Sequence, residues 1–294
     1  MSEDIYSLLG EPQPFNLNEY VYTSLDKNAP VLDTNKHRIY IPSKGRATKV
    51  KTSKTLEGLN YVLVVEPQDY DDYCKVHPSE KVLCMDKNDQ GLAYVRNFIK
   101  KYSTEMGESS HWQMDDDIEY FKIRPRGHTK NKIISAILAI SIVEDCHDKF
   151  TNVAISGICA DAFAFSKKYA VQKNRLAYQC VLVNNSNNLE WDMGGVEDWY
   201  YTFTVLEHGY CTLSFHHIMT QTSPTMQTSG GSTNIHFSGD KRKILYEEFI
   251  RRWPGRFIVK EYPDSKKRWR LQAIRKFFND YKQEPILKTE TTIL

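Results

Sequence analysis

Trp112-Gln113-Met114-Asp115-Asp116-Asp117-Ile118 is the stretch that decides how this chain is read: three consecutive carboxylates at the end of a short apolar run. Like charges side by side repel, so a folded chain concentrates them where a counter-charge is supplied. The usual one is a divalent cation bound through oxygen, which also reaches out to substrate phosphates. Position matters as much as composition. Two apolar segments precede the triplet, Ile39-Tyr40-Ile41-Pro42 and Tyr61-Val62-Leu63-Val64-Val65, each followed by a helix-like pattern. The second is short and β-branched, as a strand buried on both faces is. Lys81-Val82-Leu83-Cys84 reads as a third strand, and from Gly91 the residues Leu92, Val95, Phe98, Ile99 and Tyr102 recur at helical spacing. Strand–helix alternation predicts a parallel α/β sheet with right-handed crossovers. Such sheets bind ligands beyond the carboxyl ends of their strands. The triplet lies at such an end, which points to a metal- and nucleotide-dependent enzyme.

Further along, the pattern predicts a helix from Lys132 to about His147, with strands at Val153 to Ser156, Ala162 to Phe165 and Gln179 to Val183. A helix over Val196 to His208 leads into a strand over Tyr210 to Phe215 that ends at His216-His217. Thr220 to Gly231 is small, polar and glycine-ended, the composition of a loop. The remainder reads as two basic helices around an extended Phe257-Ile258-Val259. No internal repeat is present.

With 294 residues, 40% hydrophobic and 12% aromatic, the chain is long and apolar enough for one large α/β domain with an appendage. No apolar stretch approaches the roughly 20 residues that span a bilayer, and the acidic Met1-Ser2-Glu3-Asp4 start is unlike a secretory signal. The six cysteines are scattered without a CxxC pair, which predicts free thiols in a reducing cytoplasm and argues against a zinc site. The net charge of +2 conceals an asymmetry. Residues 1–36 form an acidic extension, 37–240 the catalytic domain, and 241–294 a basic, mostly helical region expected to pack on it. In 241–282, fourteen basic residues face five acidic ones. Arg251, Arg252, Lys266, Lys267, Arg268 and Arg270 are interleaved there with Trp253, Phe257, Tyr262 and Trp269, the electrostatic footprint of a nucleic-acid partner. A solvated helical face is the plainer reading of such a run.

The ordered elements carry a resemblance. Ile41-Pro42-Ser43-Lys44-Gly45-Arg46 closes the first strand and Gly91 to Asn97 opens the helix before the triplet. Next come Trp191-Asp192-Met193-Gly194-Gly195-Val196-Glu197-Asp198 and then His216-His217. This order resembles nucleotide-sugar glycosyltransferases of the GT-A fold. Within that fold, the Ile-Pro-Ser-Lys-Gly-Arg opening and basic tail look most like phage DNA-modifying, TET-associated glycosyltransferases of 5-hydroxymethylpyrimidines. The resemblance covers about residues 38–220. It implies a Rossmann-like mixed sheet flanked by helices, a UDP-sugar donor, Mn²⁺ or Mg²⁺, and hydroxymethylated DNA as acceptor, with no obligate protein partner.

Carried over residue by residue, the resemblance implies that Asp115 and Asp117 serve the metal, with a histidine after the last core strand as third ligand. His217 is favoured there over His216 and His236. Pro42, Ser43, Lys44, Arg46, Arg96, Asp116, Gly194, Gly195 and Glu197 would line the donor, with Asp192 as a further contact to the sugar. Asp198 would be the general base of an inverting transfer, a role that suits a carboxylate in a partly dehydrated site. Each element has a plainer explanation. Acids at a helix start favour the helix dipole, a Pro-Ser-Lys-Gly stretch is an ordinary turn, Arg96 could be a surface residue, and a lone histidine is more often structural. Two other activities fit the same residues: transfer to a glycan or protein, and a carboxylate-metal nuclease or nucleotidyltransferase.

Overall fold

The computed structural model describes residues 16–26, 34–164, 169–222, 240–261 and 269–288. Helix α1 (Leu17–Asp26) precedes strand β1 (Ile39–Pro42), the short helix α2 (Thr52–Thr55) and β2 (Tyr61–Val65). Then follow α3 (Tyr70–Cys74), β3 (Val82–Cys84), α4 (Leu92–Glu105), β4 (Ser110–Met114), β5 (Ile118–Ile123) and β6 (Lys132–Ile134). The second half holds α5 (Ala136–Asp148), β7 (Val153–Ala160), α6 (Asp161–Ala164), β8 (Val171–Lys173), β9 (Cys180–Asn184), α7 (Glu197–Glu207) and β10 (Cys211–Thr222). The last described elements are α8 (Asp240–Arg252), β11 (Phe257–Glu261) and β12 (Trp269–Ala273).

Strands β1 to β10 form one mixed sheet in the order β3-β2-β1-β4-β9-β7-β10-β5-β6, with β8 also paired to β10. The first four strands are parallel, β9 runs against both β4 and β7, and β10 is parallel to β7 and antiparallel to β5. The carboxyl ends of β1, β2, β4, β7 and β10 therefore share one edge with the start of β5. Alternation within the strands builds the two faces of the core. Ile39, Ile41, Leu63, Val65, Trp112 and Met114 pack on the face covered by α5 and Val21 of α1. Tyr40, Val62 and Val64 meet Val95 and Ile99 of α4 on the other. This is the α/β mixed sheet flanked by helices that the sequence implies. All six cysteines are free, and no described helix is long and apolar enough to cross a membrane.

Several local expectations are corrected. Lys132 to Ile134 pair with β5 as a strand, and the helix starts only at Ala136, where the Ser135 hydroxyl accepts from the Leu138 N–H at 3.4 Å. Asp161 to Ala164 form a helical turn directly after β7 where a strand over Ala162 to Phe165 was expected, and Phe165 lies outside the described residues. Strand β10 continues through His216 and His217 to Thr222. Flanked by β7 and β5, it buries polar residues that look like a strand's end in the sequence. The basic region is also less helical than expected. Phe257-Ile258-Val259 finds an antiparallel partner in Leu271 to Ala273, so a hairpin stands where a second helix was expected.

That hairpin and α8 close a second hydrophobic cluster. Tyr246, Phe249, Trp253 and Phe257 pack on Val196, Tyr200, Phe203 and Leu206 of α7 and its approach. Trp253 is 2% exposed, lies 4.6 Å from the Phe249 ring and 5.8 Å from Phe203, and donates its indole N–H to Glu207 at 2.7 Å. Truncating such a side chain leaves a cavity and an orphaned acceptor, a loss of about 3–5 kcal/mol. Trp253→Ala is therefore expected to lower the free energy of unfolding by that amount, read as a lower midpoint in denaturant. An unchanged midpoint would mean that the appendage does not support α7.

Candidate active site

The triplet lies at the shared carboxyl edge, where Thr52 locks it. The Thr52 hydroxyl donates to the Asp115 carbonyl at 2.6 Å and accepts from the Ile118 N–H at 2.9 Å, while the Lys51 N–H reaches the Asp116 carbonyl at 2.9 Å. The Asp115 N–H extends the sheet pairing to the Gln179 carbonyl at 2.8 Å. Each carboxylate then meets different surroundings. Asp116 accepts from the Ser43 hydroxyl and from Arg46 Nη1 at 3.2 Å, and Ser43 shares a 2.6 Å hydrogen bond with the Tyr73 hydroxyl. Asp117 Oδ1 is buried with no hydrogen-bond partner among the described residues, and so is Arg46 Nε. Burial pushes both carboxyls upward; Arg46 opposes it, and the charge of Asp116 adds to it at Asp117.

Arg96 joins the triplet to the second acidic element. Projecting from α4 and only 1% exposed, its guanidinium lies 3.6 Å from Asp115 Oδ1 and 3.3 Å from Asp198 Oδ1. Its Nη1 donates to Gln113 Oε1 at 3.3 Å, and the Gln113 amide donates back to the Arg96 carbonyl at 3.1 Å and to His111 Nε2 at 2.9 Å. Burial lowers the His111 pKa to about 3, so its ring is neutral and its Nδ1–H donates to Asn185 at 2.8 Å. Asp198 opens α7 after a segment with positive φ at Met193 (55°) and Gly195 (97°), a backbone path that glycine accommodates without strain. Glu197 accepts from the Gly195 N–H at 2.6 Å and so caps the turn. Burial raises the Asp198 carboxyl to about 7; Arg96 opposes this and Glu197 adds to it. Asp115 is raised as well: 37% of its side chain reaches the surface, yet its recess strips the carboxyl of water, and Arg96 offsets only part of that.

Other expected site residues fall in varied places. Lys44 is held by Glu66 at 2.7 Å and by Asp89. Pro42 ends β1 beside these groups. Gly194 faces open space, and Asp192 accepts from the neighbouring Met193 N–H. His217 lies away from the triplet. Thr222 is the β10 residue paired with Ile118, and five residues of strand separate it from His217, roughly 17 Å. The His217 ring shares a 2.8 Å hydrogen bond with Tyr22 of α1; His216 is its strand neighbour, and His236 lies outside the described residues. On this register the described strands do not bring His217 to the triplet. Arg251, Arg252 and Arg270 are exposed on α8 and β12, Arg252 stacking over Tyr200 at 4.9 Å, whereas Lys266, Lys267 and Arg268 lie outside the described residues. Thr52, Tyr73, Gln113 and Glu66 carry no sequence motif; only their strand-end or helix-start positions mark them.

The family model described as TET-Associated Glycosyltransferase matches residues 37–231, from the start of β1 past the end of β10. The chain belongs to this family. It is accordingly a glycosyltransferase, of a family that acts on modified DNA bases. No curated protein matches the chain significantly. Among solved structures, CMP:2-keto-3-deoxy-manno-octonic acid synthetase complexed with CTP is similar over 72% of this chain and all of its own, at 11% identity and a TM-score of 0.40, too distant to bear on function.

Because Arg96 counters two buried carboxylates, Arg96→Met is expected to cost about 3–5 kcal/mol of stability, the cost of leaving buried charge unpaired. It should also raise the Asp198 pKa further. If activity requires Asp198 unprotonated, the glycosyltransferase gains rate as pH rises through about 7, and in Arg96→Met that limb moves to higher pH. A pH–rate profile with an unmoved limb would separate Asp198 from the titrating group.

Proposed function

We propose that this glycosyltransferase moves a sugar from a UDP-sugar to the hydroxymethyl group of a modified pyrimidine in DNA, with 5-hydroxymethylcytosine favoured. We further propose that transfer inverts the anomeric centre and needs Mn²⁺ or Mg²⁺. The observation that carries this reading is the pair Asp115 and Asp198, from distant parts of the chain, held on one buried guanidinium with the Asp198 pKa near neutrality.

The residues present fit a cation: Asp117 offers a buried oxygen without a hydrogen-bond partner among the described residues, and its charge is felt at Asp115. Among the described residues no group of three or more His, Cys, Asp and Glu side chains forms a metal cage. An ion of the Mg²⁺ kind is commonly held by one or two carboxylates plus substrate phosphates, and Asp115 and Asp117 are the carboxylates proposed to hold it here. When bound, such an ion supplies Lewis-acid neutralisation of the leaving diphosphate. Ser43, Arg46, Asp116 and Tyr73 form the nucleotide side, with the open Arg46 Nε as the donor group left for a ligand. On the other side, Asp198 takes the proton of the acceptor hydroxyl as its oxygen attacks C1 of the sugar, and the bond from C1 to the diphosphate oxygen breaks. Arg96 stabilises the carboxylate form needed for that step. The exposed Arg251, Arg252 and Arg270 supply attraction to the DNA backbone.

Incubation of hydroxymethylated DNA with a panel of nucleotide sugars and Mn²⁺, followed by mass analysis of the nucleosides, tests the reading directly. Asp198→Asn is expected to cut transfer by roughly 10²–10⁴-fold, the usual worth of a general base, with donor affinity little changed. Asp117→Asn should abolish metal-dependent turnover. NMR of the modified nucleoside should show the configuration opposite to the donor's; a retained configuration would exclude Asp198 as base.

A further inference from the structure

Phe163 keeps 64% of its surface in solvent and lies in α6, directly after the carboxyl end of β7. That end belongs to the edge that carries the triplet. In the sheet order β7 lies two strands from β4, so α6 begins on the order of 10 Å from Asp115. Tyr178 meets Phe163 edge-on, with centroids 5.9 Å apart at 76°, and its hydroxyl lies 3.6 Å from Cys159 Sγ. The next residue, Gln179, accepts from the Asp115 N–H, and the preceding Ala177 donates to Thr202, one turn beyond Asp198 in α7. Tyr178 thus lies in the segment that links the triplet to the base-bearing helix, with Phe163 against its ring.

The turn that presents Phe163 is pinned. Asp161 accepts from Lys122 at 2.6 Å and from Asn131 at 2.8 Å, and Lys122 is also held by Gln221 at 2.9 Å. A large apolar ring left mostly in water on a pinned turn, at the sheet edge that carries the triplet, suits a flat ligand. The acceptor supplies one: a base must leave the duplex stack for its substituent to enter a buried site, and extruded bases are held by stacking on aromatic side chains.

We propose that Phe163, backed by Tyr178, is the stacking platform for the target hydroxymethylpyrimidine, orienting its hydroxymethyl group toward Asp198. The inference rests on the acceptor assigned above. It makes Phe163 a positioning residue for the DNA base that takes no part in the chemical step. The test is steady-state transfer to a duplex oligonucleotide containing one 5-hydroxymethylcytosine, at saturating donor. Phe163→Ala should raise KM for the DNA about ten- to a hundredfold and lower kcat far less. Phe163→Tyr, which keeps the ring, should return KM to within a few-fold of the original, and Phe163→Leu, which keeps apolar bulk without a π face, should behave like the alanine variant. A leucine variant with the original KM would overturn stacking, as would an alanine variant whose loss is in kcat alone. If the unaltered enzyme consumes the donor but modifies no hydroxymethylated oligonucleotide, the acceptor assignment fails first and takes the platform with it. If it modifies DNA while all three variants match it, the platform alone fails.

Discussion

Everything at this site depends on one charge that cannot leave. A guanidinium with almost no contact with water is tolerable only while both of its carboxylate neighbours stay in place. Arg96 therefore ties three elements, α4, the end of β4 and the start of α7, into a single electrostatic unit. Its orientation is not left to the ion pairs. Gln113 grips both its side chain and its carbonyl, and the neutral His111 and Asn185 hold Gln113 in turn. Such a chain of satisfied polar groups holds geometry more tightly than separate contacts do, because each member restricts the next.

The same constraint separates the roles of five neighbouring acids. Asp116 is spent on Ser43 and Arg46, Glu197 on the backbone of its own turn, and Asp115 on Arg96. Asp117 alone retains a buried oxygen without a partner. Asp198 differs in another way, since burial and Glu197 hold its proton until near neutrality while Arg96 limits the rise. Chemically identical side chains thus acquire distinct functions from their surroundings, through the balance of desolvation, neighbouring charge and hydrogen bonding that sets any pKa.

The half of the fold built from β1 to β4 was legible because its strands are short, β-branched and separated by helical periodicity. The triplet and the Gly-Gly-Val-Glu-Asp element were legible because paired acids and glycines seldom occur together without a reason. Arg96 could be named as a donor-side residue, but not its burial, which depends on α7 closing over it. His216 and His217 look like a strand's end because two polar residues follow an apolar run, whereas β10 continues through them between β7 and β5 and buries both, His217 against Tyr22 of α1. Lys44 looked available to a ligand only because Glu66 and Asp89, which hold it, lie 22 and 45 residues away. The pairing of β11 with β12 was hidden for a similar reason: Phe257 meets Ala273, a partner that no local pattern names.

The aromatic seam between α7 and α8 bears on where this molecule can be divided. The family match stops at residue 231, and every acid of the site lies before that point. Yet the outer side of the helix that begins with Glu197 and Asp198 is covered by Tyr246, Phe249, Trp253 and Phe257, all beyond it. A boundary drawn from the matching region alone would keep the whole catalytic inventory and strip the helix beneath it bare, exposing Tyr200, Phe203 and Leu206 as a sticky face. The unit of inheritance in this family and the unit of folding in this chain are not the same length.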